Sequence, residues 1–202
     1  AKIYGINLEN AVAIGDNLND QAMLDIVGYS VAMKNGNTIL KEQAKYVTEK
    51  TNSEGGVADT IFKLIEQNNK IKEDINEVLV KAAIDATKFS YVPYSNFKVG
   101  AAILAENGKI YTGCNIENAS YSLTNCGERT AIFKAVSEGQ REFSELIVYG
   151  QTEKPISPCG ACRQVMAEFF EQDLKVTLVA KDKSTVEMTV GELLPYSFTD
   201  LN

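Results

Sequence analysis

Apolar residues in the first third of the chain come in short clusters separated by polar turns. Residues 11–14 read as a buried strand that runs into the acidic loop Gly15-Asp16-Asn17-Leu18-Asn19-Asp20, and residues 21–27 then read as a helix closed by Gly28. Residues 29–33 predict a second strand, 38–44 a short helix, 46–48 a third strand, and 57–65 a helix with apolar positions 57, 58, 61, 62, 64 and 65. The alternation is that of an α/β fold. Glu66-Gln67-Asn68-Asn69-Lys70 carries no apolar residue and is read as a boundary, after which residues 71–89 form a new amphipathic helix, apolar at 71, 75, 78, 79, 82, 86 and 89. Two segments follow from this reading, 1–69 and 70–202.

In the second segment Phe97, Val99, Ala101 and Ile103 alternate with other residues, Asn107-Gly108 signals a hairpin turn, and residues 110–114 return as the partner strand. Residues 115–124 form a polar loop, and 126–138 a helix closed by Gly139. Residues 146–150 form a strand, and Pro158 opens a helix that runs to about residue 170. Strands at 176–180 and 186–190 complete an α/β segment of roughly 130 residues.

At 45% hydrophobic and 23% charged residues the composition is that of an ordinary globular protein. No apolar run reaches the length needed to span a bilayer and no export signal is visible, so the expected setting is cytoplasmic, with no membrane partner. A net charge of −7, with acidic residues outnumbering basic ones after residue 71 as well, argues against a nucleic-acid partner. The absence of histidine excludes Ser-His and Cys-His catalysis and any imidazole metal site. Acid–base chemistry falls to carboxylates, Tyr, Lys or Cys.

The four cysteines are therefore informative. Cys159-Gly160-Ala161-Cys162 follows Pro158, so two thiols share one face of a helix's first turn, and Cys126 starts another helix with Glu128 two residues on. Three thiolates favour one zinc ion in tetrahedral coordination with a fourth position open. The competing reading is a redox pair or a structural zinc site, which would want Cys114 as its fourth ligand. Glu128, beside a ligand but poorly placed to be one, decides for catalysis, because it stands where a base is needed.

Four motifs carry a resemblance. Tyr91-Val-Pro-Tyr-Ser-Asn-Phe-Lys-Val-Gly-Ala-Ala102, Gly113-Cys-Asn-Ile-Glu-Asn-Ala119, Asn125-Cys-Gly-Glu-Arg129 and Ser157-Pro-Cys-Gly-Ala-Cys-Arg163 resemble, in order, the signatures of bacterial cytidine deaminases of the short three-cysteine class. The resemblance covers about residues 71–202. It implies a three-layer α/β/α domain with a mixed five-stranded sheet. Cys126, Cys159 and Cys162 are then zinc ligands, and Glu128 shuttles protons from water to ring N3 and to the departing amine. Asn115 and Glu117 match the ribose-hydroxyl pair, Phe97 the residue against the pyrimidine, and Tyr121 the site loop. Gly127, where alanine is common in the family, offers its backbone N–H. Phe198 matches an aromatic that closes a neighbouring subunit's site, in what the resemblance implies is a homotetramer. Arg129 and Arg163 each follow a site residue and are expected to offset the net negative charge of a three-thiolate zinc site.

The implied activity is hydrolytic deamination of cytidine and deoxycytidine in pyrimidine salvage, with a small nucleoside as substrate. Deamination of another aminopyrimidine nucleoside and a non-catalytic structural-zinc module are the alternatives. Residues 1–67 resemble a C-terminal part of haloacid dehalogenase superfamily phosphatases, with Asp16 and Asp20 as candidate vestigial magnesium carboxylates. No Asp-x-Asp nucleophile motif occurs in these residues, so aspartyl-phosphate chemistry is not expected. A truncation, a degenerate fusion and the tail of a larger bifunctional protein all fit.

Overall fold

The computed structural model describes residues 7–199; the outermost residues of both predicted segments lie outside them. The chain forms two compact units, Ala1–Lys72 and Glu73–Asn202. In the first, strands Val12–Gly15 (β1), Tyr29–Ala32 (β2) and Tyr46–Val47 (β3) pair in parallel in the order β1-β2-β3, with helices Gln21–Leu24 (α1) and Thr38–Gln43 (α2) in the connections. A small core of Ala13, Leu24, Ala32 and Leu40 holds this layer. The helix expected over 21–27 stops at Leu24, three residues early.

Residues 66–70, expected as a break, are helical and lie within Gly56–Ala86 (α3). They contain no Pro or Gly, and Glu, Gln and Lys are good helix formers, so an exposed polar stretch continues the helix at no steric cost.

The second unit is built on a five-stranded sheet in the order β5-β4-β6-β7-β8, formed by Val99–Ala105 (β4), Ile110–Cys114 (β5), Phe143–Gly150 (β6), Lys175–Val179 (β7) and Thr185–Thr189 (β8). Only β6 and β7 pair in parallel, so the sheet is mixed as the sequence implied. Period-2 alternation sends Ala101, Ile103, Leu146, Val148, Val176 and Leu178 to one face, against helices Gly127–Ser137 (α4), Gly160–Phe169 (α5) and Val190–Leu193 (α6). Ala102, Ile147, Tyr149 and Val179 point the other way, onto Leu79 and Ala83 of α3. Both faces are dry, which explains the near-continuous burial of β4. The result is three layers, α/β/α.

Two glycines make the site's side of the sheet possible. Gly108 turns the β4–β5 hairpin at φ +82°, in the left-handed region that glycine enters without strain. A Cβ on Gly113 would stand 2.3 Å from the Ala131 nitrogen and the Gly127 oxygen, so glycine lets α4 seat directly on β5. β6 starts three residues earlier than expected. Its polar Ser144 and Glu145 break the apolar run, and Glu145 is held in the sheet by an ion pair to Lys175 at 3.0 Å. Helix α6 replaces the end of the strand expected to reach residue 190. Its capping box, Thr189 with Glu192, was present in the sequence as a T-x-x-E signal.

Candidate metal centre

Cys126 and Cys159 are the N-cap residues of α4 and α5, both in extended conformation, and Cys162 lies one turn into α5. Two helix N-termini therefore converge on the thiols, and their partial positive charge favours thiolate. The Sγ atoms of Cys126, Cys159 and Cys162 all lie within 4.8 Å of one another; Cys126–Cys159 is 3.8 Å and Cys159–Cys162 is 3.5 Å. Tetrahedral zinc with sulfurs at about 2.3 Å requires sulfur–sulfur separations of about 3.8 Å. The donor set fits zinc in both chemistry and spacing. Cys114, at the end of β5, is not in the cluster; it is a buried free thiol pushed up by burial. Replacing Cys114 by Ser is accordingly expected to leave one zinc per chain by elemental analysis, and a halved zinc content would contradict the three-sulfur assignment.

Within the cluster the Cys162 thiol donates toward Cys126, and with help from the Arg129 guanidinium this pulls Cys126 down to about 5. Cys162, which keeps the shared proton in a buried position, is pushed up. Arg129 Nη2 reaches the Cys126 sulfur at 3.7 Å and is oriented by the Thr124 carbonyl at 3.0 Å. Arg163 behaves differently. Its Nε donates to the Pro158 carbonyl at 2.8 Å, Nη1 to the Leu193 carbonyl at 2.9 Å and Nη2 to Ser157 Oγ at 2.6 Å. Three of its five N–H donors are thus engaged by main chain and Ser157, and none of these contacts is to a sulfur.

Glu128 sits in the first turn of α4, 4% exposed, with Oε2 buried and without a hydrogen-bond partner. Burial first, and the neighbouring Cys126 next, push its carboxyl up to about 7. An orphaned carboxyl oxygen beside three thiols is expensive unless something else engages it.

The loops beside this cluster are stitched by backbone bridges. Tyr91 pairs with Ile116 and Ile116 with Asn125, through Tyr91 N to Asn115 O at 3.0 Å, Glu117 N to Tyr91 O at 2.8 Å and Ile116 N to Asn125 O at 2.9 Å. The loop expected over 115–124 is thereby fixed. Asn115 is buried; its Oδ1 accepts from Val99 N at 2.9 Å and its Nδ2 donates to Phe97 O at 2.6 Å. Glu117 accepts from Tyr94 N at 3.0 Å, Ser95 N at 3.2 Å and Ser95 Oγ. These donors, Ser95 Oγ foremost, hold its carboxyl below the usual range. Both side chains thus brace the 94–97 turn.

Glu117 and Tyr121 line a cavity of about 370 Å³ together with Tyr94, Ser95 and Thr124. Tyr94 and Tyr121 meet edge to face at 6.1 Å. Tyr94 and Thr124 were not singled out from sequence, although Tyr94 stands inside the first motif. Phe97 and Asn115 are outside that lining, Gly127 opens α4, and Phe198 is exposed on the C-terminal segment. A larger cavity of about 600 Å³ lies between α3 and strands β7 and β8, and none of the expected site residues lines it.

In the first unit Asp20 Oδ2 accepts from Asp16 N at 2.9 Å and Asn17 N at 3.1 Å. It caps its own loop, and Asp16 meets Asn52 at 3.4 Å.

Residues 73–178 match the family described as the cytidine and deoxycytidylate deaminase zinc-binding region, and residues 1–61 match the haloacid dehalogenase-like hydrolases. The cytidine deaminase of Halalkalibacterium halodurans is 54% identical over 128 residues, 62% of this chain and 97% of its own length. That of Sporosarcina psychrophila is 55% identical over 123 residues, 61% of this chain and 90% of its own length. The crystal structure of cytidine deaminase from Burkholderia pseudomallei aligns with a TM-score of 0.59 at 49% identity, over 60% of this chain and 98% of that one. The matched stretch takes in α4 and α5 with all three thiols, and on this the chain belongs to the cytidine and deoxycytidylate deaminase zinc-binding family.

Proposed function

We propose that the second unit hydrolyses cytidine and deoxycytidine to uridine and deoxyuridine with release of ammonia, as a step of pyrimidine salvage in the cytoplasm. The observation that carries this reading is the buried, unpartnered Glu128 carboxyl beside three thiols with zinc spacing. The relatives named above as cytidine deaminases support it.

Cys126, Cys159 and Cys162 hold the zinc. When bound, the metal supplies a Lewis acid that makes water a nucleophile at neutral pH. Glu128 takes a proton from the attacking water as the C4–O bond forms and passes it to ring N3; it then takes the second proton, from the new C4 hydroxyl, and gives it to the exocyclic amine as C4=O forms and the C4–N bond breaks. The balance is one nucleoside and one water in, one uracil nucleoside and one ammonia out. Burial favours the protonated carboxyl, which suits a group that must store a proton between transfers.

Gly127 N–H, one of the unpaired donors at the start of α4, is available to the pyrimidine carbonyl. Phe97 packs against the ring. Asn115 and Glu117 bind ribose hydroxyls; Asn115 keeps one amide hydrogen beyond its bond to Phe97 O, and a carboxylate has lone pairs to spare after three donors. Tyr121 lines the rim, and Phe198 of a neighbouring subunit completes the enclosure in a homotetramer. Arg129 withdraws charge from the Cys126 sulfur. Competition kinetics test the substrate class: cytidine and deoxycytidine are expected to react within about tenfold of each other in kcat/KM. Faster turnover of deoxycytidine monophosphate than of either nucleoside would overturn the nucleoside reading.

A further inference from the structure

The described part of the C-terminal segment beyond α6, residues 194–199, belongs to no helix or strand, and its Tyr196 stands at φ +55° with its ring fully exposed. That side chain gives the segment no burial to hold it. What does hold it comes from two successive residues at the start of α5. Arg163 Nη1 donates to the Leu193 carbonyl, at the C-terminal end of α6, and Gln164 Nε2 donates to the Phe198 carbonyl at 2.6 Å. The arginine also answers the unpaired carbonyls and negative dipole end of that short helix.

The same turn of α5 carries Cys159 and Cys162, and two further donors of Arg163 hold Pro158 and Ser157, the residues just before Cys159. Cys162 is buried, whereas Arg163 and Gln164 lie on the partly exposed side of the turn. One helical turn therefore carries both the buried Cys162 thiol and the clamp. Because the clamp acts on main-chain carbonyls, it fixes where the segment runs irrespective of its side chains.

We infer that Arg163 and Gln164 are positioning residues that strap the C-terminal segment to the metal-holding turn and so set where Phe198 is presented. The catalytic consequence rests on the reading of Phe198 as an aromatic that closes a nucleoside site; the strap itself does not. Gln164→Glu keeps the shape but removes the donor and sets a carboxylate against a carbonyl, while Gln164→Lys restores a donor. Chymotryptic cleavage of the full zinc-loaded chain after Tyr196 and Phe198 is expected to run about three- to tenfold faster in Gln164→Glu, the scale of one lost hydrogen bond, and to return toward the parent rate in Gln164→Lys. KM for cytidine should rise about threefold in Gln164→Glu, with kcat within about twofold and zinc content unchanged. Equal cleavage rates in all three proteins would overturn the strap. If Phe198→Ala leaves KM unchanged while Gln164→Glu still speeds cleavage, the strap stands and the closing role of Phe198 falls.

Discussion

Glu128→Gln is expected to retain zinc and nucleoside affinity and to turn over at least about 10²-fold more slowly, the low end for loss of a general acid–base group. The substituted amide has the shape of the carboxyl, so the first turn of α4, with Gly127 and Cys126, keeps its geometry. The amide has no proton to accept and return. Glu128 is 4% exposed with Oε2 unpartnered, so no bulk water stands ready to replace it. Steady-state kcat with cytidine, beside zinc content from elemental analysis, separates the two effects. Turnover at the parent level would remove Glu128 from the chemistry and return the cluster to a structural role.

Cys162→Ala is expected to abolish stoichiometric zinc and lower Tm by about 10 °C in zinc-containing buffer. Two thiols of the cluster remain in that variant, and both cap helices rather than lying within one. Binding to the folded state alone, at 100 to 1,000 times Kd, contributes about 3–4 kcal/mol, which in a domain of this size corresponds to a shift of that order. The parent protein treated with a chelator should lose a similar amount, and the variant should not respond. Cys162, on α5, is fully buried in the core, so any difference between the two shifts reports its packing. A variant that still holds one zinc would place the metal elsewhere.

Periodicity revealed most of the architecture. The β4–β5 hairpin was legible because alternating apolar residues flank Asn-Gly, α4 because Gly139 closes it, and α5 because Pro158 opens it. The continuity of α3 was not, since an all-polar stretch reads alike as linker and as solvated helix; only the absence of Gly and Pro in residues 66–70 hinted at it. Helix α6 is too short for a period, though its capping box was readable. The thiols were legible because type and spacing alone restrict the chemistry once histidine is absent. The division of labour between Arg129 and Arg163 was not, because both follow a site residue and only the fold shows which carbonyls compete for the guanidinium. The same holds for Asn115, whose side chain is drawn onto Val99 and Phe97 by a strand edge that no local pattern announces.

The central claim joins the thiol cluster to a reaction, and one titration tests it: zinc added stepwise to the metal-free chain, with ammonia released from cytidine measured at each step. The account predicts no release without metal, a linear rise, and a plateau at one zinc per chain. Full activity in the metal-free chain, or a saturated zinc site with no ammonia released, would contradict it.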